Sequence, residues 1–252
     1  MSDKATRALY RDCAELSPTA QKVVQAYGGA ERWLGASSIS ARVTLSGLLF
    51  RLWKRRITPP ATLLTLDPHR PFASFAPLNR GGDTGIFDGP DVRMHAADGS
   101  LLDEQREIRA LFPTTGGRRL KWSELDLTYF LGYAFWGYFT LPLLLMRRDV
   151  QWTEIEDGVL EGVFPDHLPS HSSTQRYWFD TTTYLLRRND YHPGVVTSDQ
   201  KAWVANVVTE HGLADGVPFT CRRGVTPTKG RYGAPLPFPR VVGIAVDNWT
   251  LA

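Results

Sequence analysis

From Ile39 to Ser46 the chain alternates with a period of two. Ile39, Ala41, Val43 and Leu45 fall on one side, and Ser40, Arg42, Thr44 and Ser46 on the other. This pattern predicts a half-buried strand. Leu49 and Trp53 share the apolar parity and extend it to about Arg56, where Pro59-Pro60 breaks it. Strands are predicted next over 61–66, 72–78, 83–87 and 92–95, punctuated by Asp67-Pro68, Asp88-Gly89-Pro90 and Asp98-Gly99 as turn chemistry. The alternation returns over 150–155, 159–164, 175–180, 184–191, 201–211, 217–223 and 241–249. Two stretches break the rule of two. Residues 18–27 carry helical spacing (Ala20, Val23, Val24, Tyr27) with Ser17 and Pro18 as a helix start and Gly28-Gly29 as its stop. Leu127 to Met146 is a run of 20 residues without a charge.

That apolar run is long enough to span a bilayer. Strand patterns on both sides and interruptions at Gly132, Gly137 and Pro142 favour a helix buried inside the sheet, where every face meets an apolar partner. The whole pattern predicts an α+β fold: a curved antiparallel half-barrel of about 9–11 strands wrapped around one apolar helical segment. A single domain, 1–252, is expected, with a helical segment at 1–36, a β-meander at 37–112, the aromatic helix at 121–148 and a second meander at 149–252.

Composition narrows the partners. Hydrophobic residues make up 42% and charged residues 22%, which excludes whole-chain disorder. The formal charge of +3 is too balanced to predict a polyanion partner, so no nucleic acid is expected. The basic runs at 51–56, 118–121 and 222–223 read as solvated strand ends. Eight Trp, nine Tyr and twelve Phe suit a deep core or an apolar pocket. Residues 1–10 have no apolar core of a signal peptide, so a cytoplasmic protein without membrane insertion is expected. Cys13 and Cys221 lack metal spacing, and Pro169 between His167 and His171 argues against a helical metal pair, so no metal is expected. Neither GxGxxG, nor a Walker pattern, nor a GxSxG elbow occurs, and no cofactor is expected.

The hairpin Gln175 to Tyr191 reads QRYWFDTTTYLLRRNDY. It resembles the aromatic-Asp-x-x-Thr-x-Leu-x-Arg strand pair of the LolA/LppX-like lipoprotein-carrier superfamily. The wider run from Phe164-Pro165 through His171-Ser172 to Asp190-Tyr191 is similar to a group of uncharacterised actinobacterial and fungal proteins. The resemblance implies an antiparallel half-barrel around helices, with an apolar cavity between them.

If residues 180–183 form the hairpin loop, one face holds Gln175, Tyr177, Phe179, Tyr184, Leu186, Arg188 and Asp190, with Gln175 opposite Arg188. An apolar floor ending in a polar cluster suits a mostly apolar ligand with one oxygenated end. The expected catalytic group is Asp190 as general acid or base, with Arg188 as its electrostatic partner or an oxyanion stabiliser and Gln175 or Tyr177 as an orienting donor. The expected ligand contacts are Tyr177, Phe179, Tyr184, Tyr133, Trp136, Trp53, His171 and Tyr191. Arg188–Asp190 is equally an ion pair tying strand ends together. The first functional expectation is therefore a cofactor-independent enzyme, a cyclase, isomerase or lyase of polyketide- or terpenoid-type metabolism. The alternative is a cytosolic binding or carrier protein for a lipid or other hydrophobic metabolite.

Overall fold

A computed structural model describes residues 7–53, 59–112 and 121–252, excepting the side chains of Leu52 and Trp53. Two short helices, α1 (Pro18–Ala26) and α2 (Ala30–Gly35), lead into six strands: β1 (Ile39–Ser46), β2 (Thr62–Asp67), β3 (Phe72–Ala76), β4 (Thr84–Asp88), β5 (Asp91–His95) and β6 (Leu101–Gln105). Helices α3 (Glu124–Phe139) and α4 (Leu141–Met146) follow. The chain then forms β7 (Gln151–Glu156), β8 (Val159–Val163), β9 (Thr174–Phe179), β10 (Leu186–Tyr191), β11 (Val204–Ala214), β12 (Val217–Pro227) and β13 (Val242–Leu251).

All these strands join one antiparallel sheet of 13, in the order β6-β5-β4-β3-β2-β1-β13-β12-β11-β10-β9-β8-β7. The first and last halves of the chain meet where β1 pairs β13, Val43 opposite Val246. The sheet is open, with β6 and β7 as its edges. The α+β half-barrel expected from the sequence holds, but the strand count of 9–11 was too low. Strand β6 is the clearest omission, because Leu101 to Glu104 are all exposed and carry no alternation to read.

The helix inside the sheet starts at a reciprocal cap. Ser123 Oγ accepts from the Asp126 N–H at 3.1 Å, and Asp126 Oδ2 accepts from the Ser123 N–H at 2.9 Å. Helix α3 then packs its aromatic surface on β3, β4 and β5. The expected single helix over 121–148 is in fact two. Pro142 has no N–H to offer the preceding turn, and the helix closes at Thr140, whose Oγ1 donates to the Trp136 carbonyl at 2.7 Å. At 16 residues, α3 spans about 24 Å. Among the described residues no helix is long and apolar enough to cross a membrane.

Strand β1 also stops earlier than its sequence parity suggests. Gly47 adopts φ +109°, and a Cβ there would collide with the Val241 carbonyl, so only glycine lets the chain pass this close to the end of β13. The chain then makes a π-helical turn over Leu49–Trp53. Leu49 is fully buried through that turn rather than by strand alternation. The side chain of Trp53 lies outside the described residues.

Candidate functional site

Between α3 and the concave face of the sheet lies a cavity of about 520 Å³. Phe130, Ala134 and Tyr138, spaced four apart on α3, form one wall, and the small Ala134 between two rings makes room. Leu45 comes from the end of β1, Leu49 from the π-helical turn that follows it, Val225 from β12, and Val242 and Ile244 from β13. The connection from Tyr191 to Val204 frames the remaining side through Pro193, Val196, Lys201 and Trp203. The lining is mostly apolar, with Thr197, Lys201 and Thr228 among its polar members.

Polarity is concentrated at Tyr138, His171 and Tyr191. The Tyr138 hydroxyl lies 2.8 Å from His171 Nε2 and 3.0 Å from the Tyr191 hydroxyl. The His171 imidazole stacks on the Tyr191 ring, centroids 3.7 Å apart and planes 5° from parallel. A loop rather than a strand presents His171, and that loop is pinned by Arg109, whose Nη1 donates to the Ser170 carbonyl at 2.7 Å. Burial holds the His171 imidazole well below its ordinary pKa, reinforced by the charges of Arg109 and Arg223. The ring is neutral at physiological pH. Burial likewise pushes both tyrosine hydroxyls up. The three groups form a hydrogen-bonded chain of neutral donors and acceptors, suited to holding an oxygenated end of a ligand.

The β9–β10 hairpin supplies Tyr191 through a register that parity does not reveal. Asp180 Oδ1 accepts from the N–H groups of Thr182 and Thr183 at 3.0 and 2.9 Å, so the loop runs on to Leu185. Leu186 then sits opposite Phe179, and a bulge at Arg187 reverses the alternation beyond it. Gln175 faces Tyr191 and not Arg188; Asn189 faces Tyr177. The interior face therefore holds Gln175, Tyr177, Phe179, Leu186, Asn189 and Tyr191, all buried.

Arg188 and Asp190 consequently point to the opposite, outer face, away from the cavity. Arg188 Nε donates to Asp190 Oδ1 at 2.6 Å, and a second bond joins Arg188 Nη2 to Asp190 Oδ2. The guanidinium lies over the Trp178 ring, 4.4 Å from its centroid, and also donates to the Gly233 carbonyl. The segment at 228–236 covers the pair, with Tyr232 packed against Trp178 and under Arg176. Asp190 is thus fully buried without reaching the cavity, and burial raises its pKa against the opposing pull of Arg188.

The other expected ligand contacts divide. His171 and Tyr191 line the main cavity. Gln175, Tyr177, Tyr133 and Trp136 surround an adjoining space of about 20 Å³ on the far side of Tyr138 and His171. Gln175 Oε1 there accepts from the Tyr177 hydroxyl at 3.3 Å and from Asn189 Nδ2 at 3.4 Å. Phe179 is packed in the core. Tyr184 stands at the surface, where Lys22 Nζ donates to its hydroxyl at 2.6 Å. The sequence reading missed Tyr138 as a polar group, seeing only one of seven aromatics in the helix. It also missed Arg223, read as part of a solvated basic run but 4% exposed on the interior face. Its position within a strand between Cys221 and Val225 on an alternating pattern was the available signal.

No family model matches the chain, and no curated protein matches it. Among solved structures, a LolA superfamily protein from Nitrosomonas europaea is 11% identical, with 94% of each chain covered and a TM-score of 0.49. A DUF1329 family protein from Desulfovibrio piger is 12% identical over 92% of this chain and 91% of that one, at 0.43. The Mycobacterium tuberculosis lipoprotein LppX is 10% identical over 92% and 96%, at 0.31. The superfamily that the hairpin resembles in sequence therefore recurs among the similar structures, at an identity and TM-score from which no function follows.

Proposed function

We propose that this protein binds a hydrophobic small molecule or lipid chain in the cavity beneath α3, as a binding or carrier protein. One observation carries the reading: a cavity of about 520 Å³, lined mostly by apolar side chains, with the hydrogen-bonded Tyr138–His171–Tyr191 cluster in its wall. That volume lies within the range of small-molecule sites. A core without a ligand function closes such space with side chains, because an unfilled cavity costs stability in proportion to its volume. Ala134, set between Phe130 and Tyr138, keeps the space open.

The enzyme reading loses its acid–base pair, since Arg188 and Asp190 face away from the cavity. Native mass spectrometry of the purified protein, followed by denaturation and weighing of released molecules, tests the proposal. Stoichiometric release of lipids or of another apolar molecule is expected. A protein that carries nothing and takes up no fatty acid, sterol or polyene offered to it at micromolar concentration overturns it.

A further inference from the structure

Arg223 is a buried cation near this site with no ion-pair partner among the described residues. It projects from β12 onto the interior face and is 4% exposed. Its Nη2 donates to Thr220 Oγ1 at 2.7 Å, while Nε and Nη1 have no hydrogen-bond partner among the described residues. No carboxylate among the described residues forms an ion pair with it. The phenols of Tyr138, Tyr27, Tyr191 and Tyr177 interact with it electrostatically. The guanidinium lies over the Tyr138 ring, 4.4 Å from the centroid, directly behind the polar end of the cavity.

A buried cation without a counter-charge is a net cost, and replacing it with an apolar side chain commonly leaves a fold as stable or more so. The space beside Arg223, shared with Thr220, Tyr138 and Trp249, measures about 20 Å³. That is room for one water and for no counter-ion of greater size. A second space, of about 160 Å³, borders Arg222, Arg223 and Arg240. Of the two spaces large enough for a compensating negative group, the main cavity is the one lined by Tyr138, whose ring the guanidinium covers.

The hydroxyl chain connects the two. With His171 Nε2–H donating to the Tyr138 oxygen, and Tyr138 to the Tyr191 oxygen, the Tyr191 O–H is left to donate into the cavity. A cation behind such a chain favours a negative acceptor at its free end, and low local polarity strengthens the attraction. Lys201, at the cavity wall, adds a second positive charge.

Building on the binding reading above, we propose that the ligand is an apolar molecule carrying one anionic head group, a carboxylate or a phosphate monoester. Tyr191 and Tyr138 hold that group, and Arg223 balances its charge through the Tyr138 ring. Arg223 thus acts as a selectivity residue without touching the ligand.

Calorimetric titration with dodecanoic acid, dodecyl phosphate and dodecan-1-ol at pH 7.5 tests this, after removal of any co-purifying molecule. At least one of the two anions is expected to bind tenfold or more tightly than the alcohol, and the comparison between the anions identifies the head group. In Arg223→Met the ratio of anion to alcohol affinity is expected to fall to near one, with a melting temperature no lower than that of the parent. Arg223→Lys, which keeps the charge, is expected to retain a preference, and Tyr191→Phe to reduce it. Equal affinity for anions and alcohol overturns the anionic assignment while leaving apolar binding intact. A preference that survives in Arg223→Met removes Arg223 from the account. Failure of all three probes in a protein that takes up a sterol or polyene overturns this inference alone; failure with those ligands too removes the binding reading with it.

Discussion

The imidazole of His171 and the phenol of Tyr191 lie in parallel contact, 3.7 Å between centroids, and both reach the same Tyr138 hydroxyl. One ring arrives on a loop and the other at the end of β10, and the hydroxyl they share comes from the end of α3. The polar end of the cavity is therefore assembled from three separate parts of the chain. These three groups are neutral, and the buried charge of Arg223 stands behind them.

The neutrality of His171 makes stability depend on pH. Burial first, then the charges of Arg109 and Arg223, hold its pKa well below the ordinary 6.5. The rings packed around it, those of Phe130, Tyr133, Tyr138 and Tyr191, offer no negative charge to counter these effects. As pH falls through 6.5 the unfolded chain takes up a proton that the folded protein refuses, so stability drops on the acid side and is level above it. His211, whose pKa is also lowered chiefly by burial, adds in the same direction. Thermal melts between pH 7.5 and 5.5 are expected to fall more steeply for the parent than for His171→Gln. Parallel slopes for the two would show that His171 charges freely in the folded state.

Filling the cavity is expected to block it. Ala134→Phe places a ring between Phe130 and Tyr138, in the space of about 520 Å³. Affinity for any apolar ligand is expected to drop at least tenfold, while the melting temperature stays level or rises as the void closes. Unchanged affinity in a folded Ala134→Phe protein would place the ligand elsewhere.

Two glycines of α3 are expected to answer the same substitution with opposite signs. A Cβ at Gly132 would collide with the Phe87 side chain on β4, whereas one at Gly137 meets nothing within 4 Å. Gly132→Ala is expected to destabilise by about 1–3 kcal/mol through overpacking. Gly137→Ala is expected to stabilise by about 0.5–1 kcal/mol through the lower entropy of alanine in a helix. Denaturant unfolding of both variants measures the pair; equal shifts would mean that α3 does not seat on β4 as described.

Removing Asp190 is expected to harm stability and spare binding. Its carboxylate is fully buried on the outer face, and Asp190→Ala leaves the half-buried Arg188 guanidinium short of two bonds. A loss of about 1–3 kcal/mol follows from stranding such a donor. Ligand affinity is expected to change less than twofold in a protein still folded at the assay temperature. A large loss of affinity there would return Arg188–Asp190 to the site.

Much of the fold could be read from local pattern. Period-two alternation locates β1 because one of its faces is buried and the other wet, as the structure shows for Ile39 to Ser46. The uncharged run resolves into α3 and α4 because a helix enclosed by a sheet has no face to leave polar; Leu125 to Trp136 are buried without a break. Strand β6 escaped, being exposed on both faces. Gly47, where β1 ends, gave no sign in its neighbours' hydropathy that Val241 passes so close.

The chain's own sequence determined which segments become strands and helices, and that an apolar interior lined with aromatics must form, since these follow from spacing and side-chain transfer between water and core. Only the tertiary structure decided which polar groups enter that interior. Arg188, Asp190 and Arg223 all belong to strands, yet one bulge at Arg187 sends the first two outward. The pairing of β12 with β11, which is irregular opposite Thr220 to Arg223, and with β13 brings Arg223 inward beside Thr220, to rest on Tyr138. A shift of one residue reverses every side chain beyond it, and such a shift is set by turn hydrogen bonds and by strands far away in sequence.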